Sequence, residues 1–592
     1  MSLDDTPSPD ASAPATVARR APVLWVAVAV LAGYICAEVW PHAPVNILAG
    51  ISLVLAAAAL ALAIFAPRPE FRPRKLVLGW SGLFLIAGIL LAWSWHEARV
   101  RTPATEWAAL PPREAKLTLR ITRDFAISPT AAIYANDTTY AGGLAEVVNA
   151  PDVFAELRGA TILYRVRVNA DDIPPPRGAT IEVKGVLDYL PTLALDDPAN
   201  PVTPSTARFR AYVHAQGAWF ELSRGILQHT VSPPNAWMLW LETQRAHILD
   251  ILGNGPKFLE SSYGNEYKAL VVGDASLLDP TERTAYTVSG GIYLFALSGL
   301  HIAILAAALW WVLRKIPRLP HFVGELLTLM VAWLYVEIAG GTTSGHRAAL
   351  MLTFYLVGKW LGRGRSPLAA VLAAGVATLI VDPLALDNSG FELSYSVVLG
   401  LILYAPLLWS ALQARWRPWR DVPALSLAPW QKTVLWIWDR LTGLAVTSWT
   451  AVLCSTPLTA EFSGTFSANT VVFNLIFFPL ACATLWSGAI AVAVGIFGMP
   501  PFIWLAWIVN AVGLSLIGLM QTLAGIAPPR LSTNLEIIPP WAGSIAALAV
   551  LAVMLLAQPK NRLPRWWYFA LPVIILELLA LLSVRLLPPG LQ

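Results

Sequence analysis

The sequence predicts a polytopic α-helical membrane protein that carries a small β-domain outside the bilayer. Three observations predict it. The 592 residues are 56% hydrophobic and only 13% charged, with a mean hydropathy of +0.59, far from the soluble globular range. The apolar residues fall into runs near 20 residues long, the length that crosses a hydrocarbon core of about 30 Å. One internal stretch, 97–290, lacks such runs and alternates instead with period two. The net charge of +4 is too small to argue a nucleic-acid partner. Cys36, Cys454 and Cys482 each lie in an apolar run, which predicts buried thiols and no disulfide framework.

A polar tail, residues 1–22, precedes the first apolar run; that run is long for a cleaved leader and reads as a retained span. The expected spans are 23–41, 45–66, 76–96, 292–313, 321–339, 346–362, 367–386, 391–412, 441–460, 469–498, 501–524, 540–557 and 566–587, about thirteen in all. The 469–498 run contains Pro479 and reads as one broken span or two short ones. Basic loops set the orientation. RPEFRPRK (68–75), RKIPR (314–318), KWLGRGR (359–365), RWRPWR (415–420) and PKNRLPR (559–565) are all cytoplasmic if the N-terminus is. An even number of spans then separates them everywhere, and segment 97–290 and the C-terminus fall on the far side. Trp40, Trp93, Trp95, Trp310, Trp566 and Trp567 flank the runs, as belt residues do.

Within the insert, AKLTLRITRDF (115–125), GATILYRVRVNA (159–170) and GATIEVKGVLDYL (178–190) read as strands around a Pro-rich turn, DDIPPPRG. Short strands of this kind predict a small barrel or sandwich over 97–235. Two helical stretches follow in 236–290, near 236–253 and 257–275. They fit an amphipathic helix on the membrane surface or a helix covering the β-domain.

A charge at the bilayer centre costs about 2.5–3.5 kcal/mol, so it faces protein or water. Glu325, Glu337, Arg347, Asp382, Asp387, Glu392 and Glu461 all lie in or beside the later spans. Glycine-rich polar stretches accompany them: FALSGLHIAIL (295–305), GGTTSGHRAALM (340–351) and DNSGFELSYSVV (387–398). Together they predict a polar lumen within 291–592, because irregular backbone at that depth needs protein or water around it. A lone His301 is more often hydrogen-bonded structure than a ligand. No HxH, HExxH, GK[ST] or GxSxG pattern occurs, so no metal, cofactor or nucleotide site is expected.

The stretch VVGDASLLDPTERTAYTVSGGIYLFALSGLHIAIL (271–305) resembles the signature of the ComEC family of bacterial competence proteins, in which a Gly-Asp pair (here Gly273 and Asp274) precedes a short acidic helix and an S-G-L-H span. GTTSGHRAALM (341–351) resembles the family's Arg-Ala block. DPLALDNSGFELSYSVVLG (382–400) is similar to its Phe-x-Leu-Ser block, which contains Ser394, and STPLTAEFSGTFSANTVVFNLIFFPL (455–480) to its block with Pro457, Asn474 and Pro479. Segment 200–219 resembles the end of the family's OB-like domain.

The resemblance implies an inner-membrane channel, three N-terminal helices (23–96) and an OB-like external domain. It also implies single-stranded DNA as passenger; with neither a nuclease motif nor a nucleotide-binding loop, the chain is expected not to be an enzyme. Ser298, Gly299, His301, Arg347, Asp387, Glu392, Ser394 and Asn474 are then candidates for the DNA path. Ser298 and Gly299 would let backbones approach, and Arg347 and His301 would touch phosphates or hold helices apart. Arg120, Arg123, Tyr164, Arg165 and Arg167 are candidates for strand binding on the barrel.

The family's nuclease-like C-terminal domain has no HxHxDH counterpart here, which predicts a separate nuclease, and an outer DNA receptor fits the same scheme. The family pattern implies Gln at 392. A carboxylate there repels phosphate unless it meets a cation, holds a proton or lies off the path. Without a nucleotide-binding loop, the chain needs a cytoplasmic motor or strand-binding partner. Two other readings stay open: a transporter of a small or lipid-linked substrate through the same cavity, and a membrane enzyme using Asp387, Glu392 and His301.

Overall fold

The computed structural model describes residues 23–64, 74–100, 107, 110–125, 139–168, 175–190, 204–362, 366–423, 426–537, 542–556 and 567–586. A helix lies over each of the thirteen expected spans. The first three are α1 (Val23–Val39), α2 (Val45–Ile64) and α3 (Arg74–Arg99). They pack as a unit because small residues face one another: a side chain at Gly33 would strike the Ile89 carbonyl and Ala92.

The insert is a closed five-stranded barrel with strand order β1-β2-β3-β5-β4. Its strands are β1 (Arg113–Phe125), β2 (Thr139–Asn149), β3 (Thr161–Val168), β4 (Thr180–Tyr189) and β5 (Ala218–Ser232). The period-two reading holds side chain by side chain. Ala115, Leu117, Leu119 and Ile121 point inward and are at most 3% exposed, while Lys116 and Arg120 point out. Each fully buried Leu or Ile contributes about 1.5–3 kcal/mol, which holds the barrel on its own core. β3 and β5 pair in parallel, and parallel neighbours need a long crossover. β4 and helix α4 (Pro204–His214) supply it.

Two helices leave the barrel, α5 (Ala236–Gly253) and α6 (Lys257–Val272). The last turn of α5 packs on the last residue of a membrane helix, α15 as numbered below: a side chain at Gly495 would sit 2.6 Å from Ile251. Asn510 closes the end of α5, donating to the Ile251 carbonyl at 2.7 Å and the Asn254 carbonyl at 2.8 Å. Carbonyls at a helix end have no partner of their own, so a buried end requires such a donor. α6 then packs on glycines of the membrane half, with Tyr263 against Gly518, Tyr267 against Gly513 and Val271 against Gly488.

The remaining helices are α7 (Pro280–Ser289), α8 (Gly299–Leu313), α9 (His321–Ile338), α10 (Thr343–Trp360), α11 (Pro367–Val381), α12 (Ser389–Leu403), α13 (Ala405–Trp416), α14 (Pro429–Phe462), α15 (Asn469–Gly495), α16 (Phe502–Gly525), α17 (Ala542–Leu556) and α18 (Trp567–Ser583). Six helical segments among the described residues are long and apolar enough to cross a membrane. Shorter apolar helices of 10–17 residues accompany them. The 469–498 run is one helix with Pro479 inside it. α18 ends earlier than expected: Val584–Leu586 forms β8, which joins β6 (Thr465–Ser467) and β7 (Ser532–Ile537) in a three-stranded sheet. Of the three cysteines only Cys454 is fully buried; Cys36 and Cys482 are half-buried, and all three are free.

The barrel is tied to the membrane half by arginines on backbone carbonyls. Arg177 donates to the Gly340 carbonyl at 2.9 Å, and Arg208 to the Ser463 carbonyl at 2.9 Å. Both acceptors lie at turns after helices, where carbonyls are free. The N-terminal helices join through Tyr34, which donates to the Leu379 carbonyl at 2.7 Å, and Trp95, which donates to that of Ile380 at 3.0 Å.

Candidate channel interior

The Gly-Asp pair ends α6. Gly273 adopts φ +77°, and the Leu297 backbone lies against it, with the Leu297 N–H donating to the Gly273 carbonyl at 2.9 Å. Asp274 accepts from the Ser276 N–H at 3.0 Å and hydroxyl at 2.6 Å, and pairs with Arg245 of α5 at 2.5 Å. These are structural duties.

S-G-L-H is a helix start. Ser298 precedes α8 with extended backbone, and His301 occupies the third helical position. The His301 Nε2–H donates to the Leu270 carbonyl at 2.8 Å. That fixes the tautomer and leaves Nδ1 as acceptor for the Ser298 hydroxyl at 3.1 Å and N–H at 3.4 Å. The histidine does what Glu or Gln does in a capping box, and it also ties α8 to α6. His301 is 2% exposed, and both its ring nitrogens are engaged, so no ring N–H is left over for a phosphate. Gly299 needs no close approach either: the nearest atom to a side chain there is Ala348 Cβ at 3.9 Å.

His301→Ala is expected to cost about 1–3 kcal/mol, since it leaves the buried Leu270 carbonyl unsatisfied. His301→Gln, which can still cap, should melt between the alanine variant and the parent. Thermal unfolding in detergent micelles measures both. An unchanged midpoint for His301→Ala, with uptake lost, would show that His301 acts on the passenger instead.

Arg347, on α10, is 4% exposed. Its Nη2 donates to the Gly390 carbonyl at 2.8 Å, and its buried Nε has no partner. No carboxylate pairs with it among the described residues. The Gly390 carbonyl is available because Asn388 caps α12, its side chain accepting from the Gly390 N–H at 2.9 Å. Two other charged groups in this half are matched, whereas one oxygen of the fully buried Glu266 has no partner. Glu325 meets Lys359 and the Trp360 indole, and Glu337 meets His346 at 2.7 Å.

Two residues along α12 from Gly390, the Arg347 contact, lies an acidic group. The Ser544 hydroxyl of α17 reaches Glu392 at 3.0 Å and Glu461 of α14 at 3.1 Å, and the Ser544 N–H donates to Glu461 at 2.6 Å. Glu392 therefore meets a serine and a second carboxylate; no lysine or arginine pairs with it among the described residues. Asp387 faces Glu38 of α1. Ser394 is half-buried on α12. Asn474, 7% exposed, accepts from the Tyr293 hydroxyl at 3.0 Å. Pro457 is buried inside α14.

The barrel candidates divide. Tyr164 is 2% exposed and belongs to the barrel core, because its neighbours Arg165 and Leu163 take the alternate positions of β3; it offers no face for a base. Arg120 pairs with Glu146 at 2.6 Å and Arg165 with Glu221 at 2.9 Å. Arg123 donates to the Tyr212 hydroxyl at 2.8 Å. Arg167 is exposed. Burial pushes the Glu221 carboxyl up, with Arg165 pulling against it. Burial also lowers His214, whose ring stacks on Trp219 at 4.5 Å. The more exposed Arg120–Glu146 pair is worth about 0–1 kcal/mol.

Sequence reasoning missed Arg245, Asn510 and Ser544. Asn510 carried a signal: an amide within an 18-residue apolar stretch needs a buried partner. Among the described residues no group of three His, Cys, Asp or Glu side chains could hold a metal ion.

Residues 270–560 match the family model described as "Competence protein". The chain is 29% identical over 215 residues to ComE operon protein 3 of Bacillus subtilis (strain 168), across 36% of this chain and 27% of that protein. It is 31% identical over 164 residues to Competence protein ComA of Neisseria gonorrhoeae, across 25% of this chain and 23% of that one. The matched part thus spans about a quarter of each relative's length. No solved structure matches the chain.

Proposed function

We propose, from a membrane half that belongs to the competence protein family of ComEC type, that the chain forms the path by which single-stranded DNA crosses the inner membrane during natural transformation. The observation that carries this reading is Arg347. A guanidinium removed from water without a carboxylate costs stability, and this one keeps an unused Nε–H beside a glycine carbonyl. Phosphate is the anion whose planar oxygen pairs suit it. The barrel, docked through Arg177 and Arg208, supports the same reading, because five-stranded barrels of this class receive single strands.

The N-terminus is cytoplasmic in this proposal, and the barrel and C-terminus lie outside. Each charge moved inward works against about 2.3 kcal/mol per 100 mV of inside-negative potential. A cytoplasmic partner must therefore pull the strand or trap it. Deletion of the gene in the source bacterium is expected to leave fluorescent DNA outside the inner membrane and to abolish transformants, with both restored by the parent chain. Normal transformation in the deletion would sink the reading.

A further inference from the structure

A groove of about 860 Å³ lies among α8, α15 and α16. Ala307 and Trp311 of α8 line it, with Trp486 and Ile490 of α15 and Ile508 and Val512 of α16. Its depth follows from the helices that form it. α15 and α16 are both long and apolar enough to cross a membrane, and the short loop 496–501 joins them at one face. Ile490 stands five residues before the end of α15, and Ile508 six after the start of α16. At 1.5 Å per residue the groove begins about 8–9 Å in from that loop.

The lining suits hydrocarbon. Trp311, Ile508 and Val512 are 54%, 55% and 53% exposed, so none of the described residues covers them. Ser487 also lines the groove, but its hydroxyl is spent on the Thr484 carbonyl at 2.7 Å. Water gains no hydrogen bond from such a wall, and an acyl chain loses none. Pockets of about 300–1,000 Å³ seat whole organic ligands.

One end of the groove is cationic. Lys315 lies one turn beyond Trp311, and its Nζ sits 3.7 Å from the centre of the Trp311 ring. Arg314 sits in the same way over Trp310, at 5.3 Å. A ring face attracts a cation without neutralising it, so both charges stay available to an anion. No ion pair holds either one among the described residues. The three helices and the loops after them carry no carboxylate: no aspartate or glutamate occurs over 283–324 or 462–535. The spacing 307–311–315 thus leads along one helix face from hydrocarbon to positive charge.

We propose that this groove binds an anionic phospholipid, with its acyl chains against Trp486 and Ile508 and its phosphate at Lys315 and Arg314. Basic pockets between membrane helices hold anionic headgroups in this way. A second copy of the chain fits less well. A two-fold contact puts the same surface on both sides, so each Lys315 would meet its own like charge. The proposal does not depend on the passenger.

Native mass spectrometry of the full chain, released from detergent micelles, tests this with phosphatidylglycerol and phosphatidylcholine of identical acyl chains. One phosphatidylglycerol should stay bound under activation that strips phosphatidylcholine. The double variant Arg314→Gln/Lys315→Gln should lower phosphatidylglycerol retention roughly tenfold or more, to the level of phosphatidylcholine, because two cations at the headgroup are lost. Ala307→Trp fills the groove from an exposed position and should remove both lipids. Melting in the same detergent checks that each variant is folded. If Ala307→Trp is not, the glutamine pair decides, because both of its positions are exposed. Equal retention of the two lipids by the parent means an ordinary lipid annulus and overturns the site. Phosphatidylglycerol that survives a folded Ala307→Trp overturns it too, as does a dimer that the parent alone forms in place of the lipid. Displacement by glycerol 3-phosphate at equal concentration would also overturn it, since the anion would then need no acyl chain.

Discussion

Arg347→Met is expected to reduce transformation roughly 10²–10⁴-fold, the loss of two charge-assisted phosphate bonds at about 1.5–3 kcal/mol each. The same variant should melt no lower than the parent. Methionine fills a similar volume without a charge to desolvate, and such replacements are often neutral or stabilising. Only one bond is lost within the protein, that to the Gly390 carbonyl. Arg347→Lys should rescue poorly, since an ammonium is a compact point charge and cannot hold the carbonyl and a phosphate in one plane. Transformation frequency and the melting midpoint of the purified protein read the two effects separately. A destabilised Arg347→Met with uptake reduced only in proportion to the protein remaining would make Arg347 a packing residue.

Gly273→Val is expected to remove the folded protein from the membrane. A β-branched residue at φ +77° is strained by about 1–3 kcal/mol. The new Cβ would also lie 2.7 Å from Leu297 Cα, a backbone atom that cannot swing away. Moving Leu297 breaks its bond to the Gly273 carbonyl and disturbs the start of α8, where His301 is seated. Together these consume much of a folding margin of about 5–15 kcal/mol. Gly299→Ala is the counterpart. With nothing nearer than Ala348 Cβ at 3.9 Å, it should be tolerated, and the helix gains about 0.5–1 kcal/mol. Quantitative immunoblots of membrane fractions at two growth temperatures check both. Equal amounts of Gly273→Val and parent would show that the α6–α8 junction gives way more easily than its geometry implies.

These two glycines sit in one stretch of sequence and look alike there. Both precede a polar residue or an apolar helix, and both invite a backbone reading. Only the φ angle and the position of Leu297 separate them. The same limit applied to histidine 301. Its spacing from Ser298 suits a capping box as written, but its second partner, the Leu270 carbonyl, lies 31 residues away. Of the two roles expected for 301, touching phosphate or holding helices, the Leu270 bond supplies the second; periodicity says which residues share a face, not what that face meets. For Tyr164 the reading failed. Its alternation with Arg165 was visible, yet a tyrosine fits the inside or the outside of a half-buried strand equally well.

The helices over the expected spans were legible because a bilayer imposes a length on each apolar run, and run length is a local property of the chain. The barrel strands were legible because their inward residues alternate without interruption from Ala115 to Ile121. The amphipathic character of 236–253 was legible too, but not what its buried face meets: contacts across 244 residues, Ile251 on Gly495, and across 259, Asn510 on the same turn, decide that. By itself the sequence determined a helical membrane protein with a small β-barrel and a helix over each expected span. The tertiary structure alone decided which polar groups are spent on other helices, as His301 is, and which stay uncommitted, as Arg347 does. The physical reason is that a hydrogen bond is a property of two places in the chain, and the second place is set by packing.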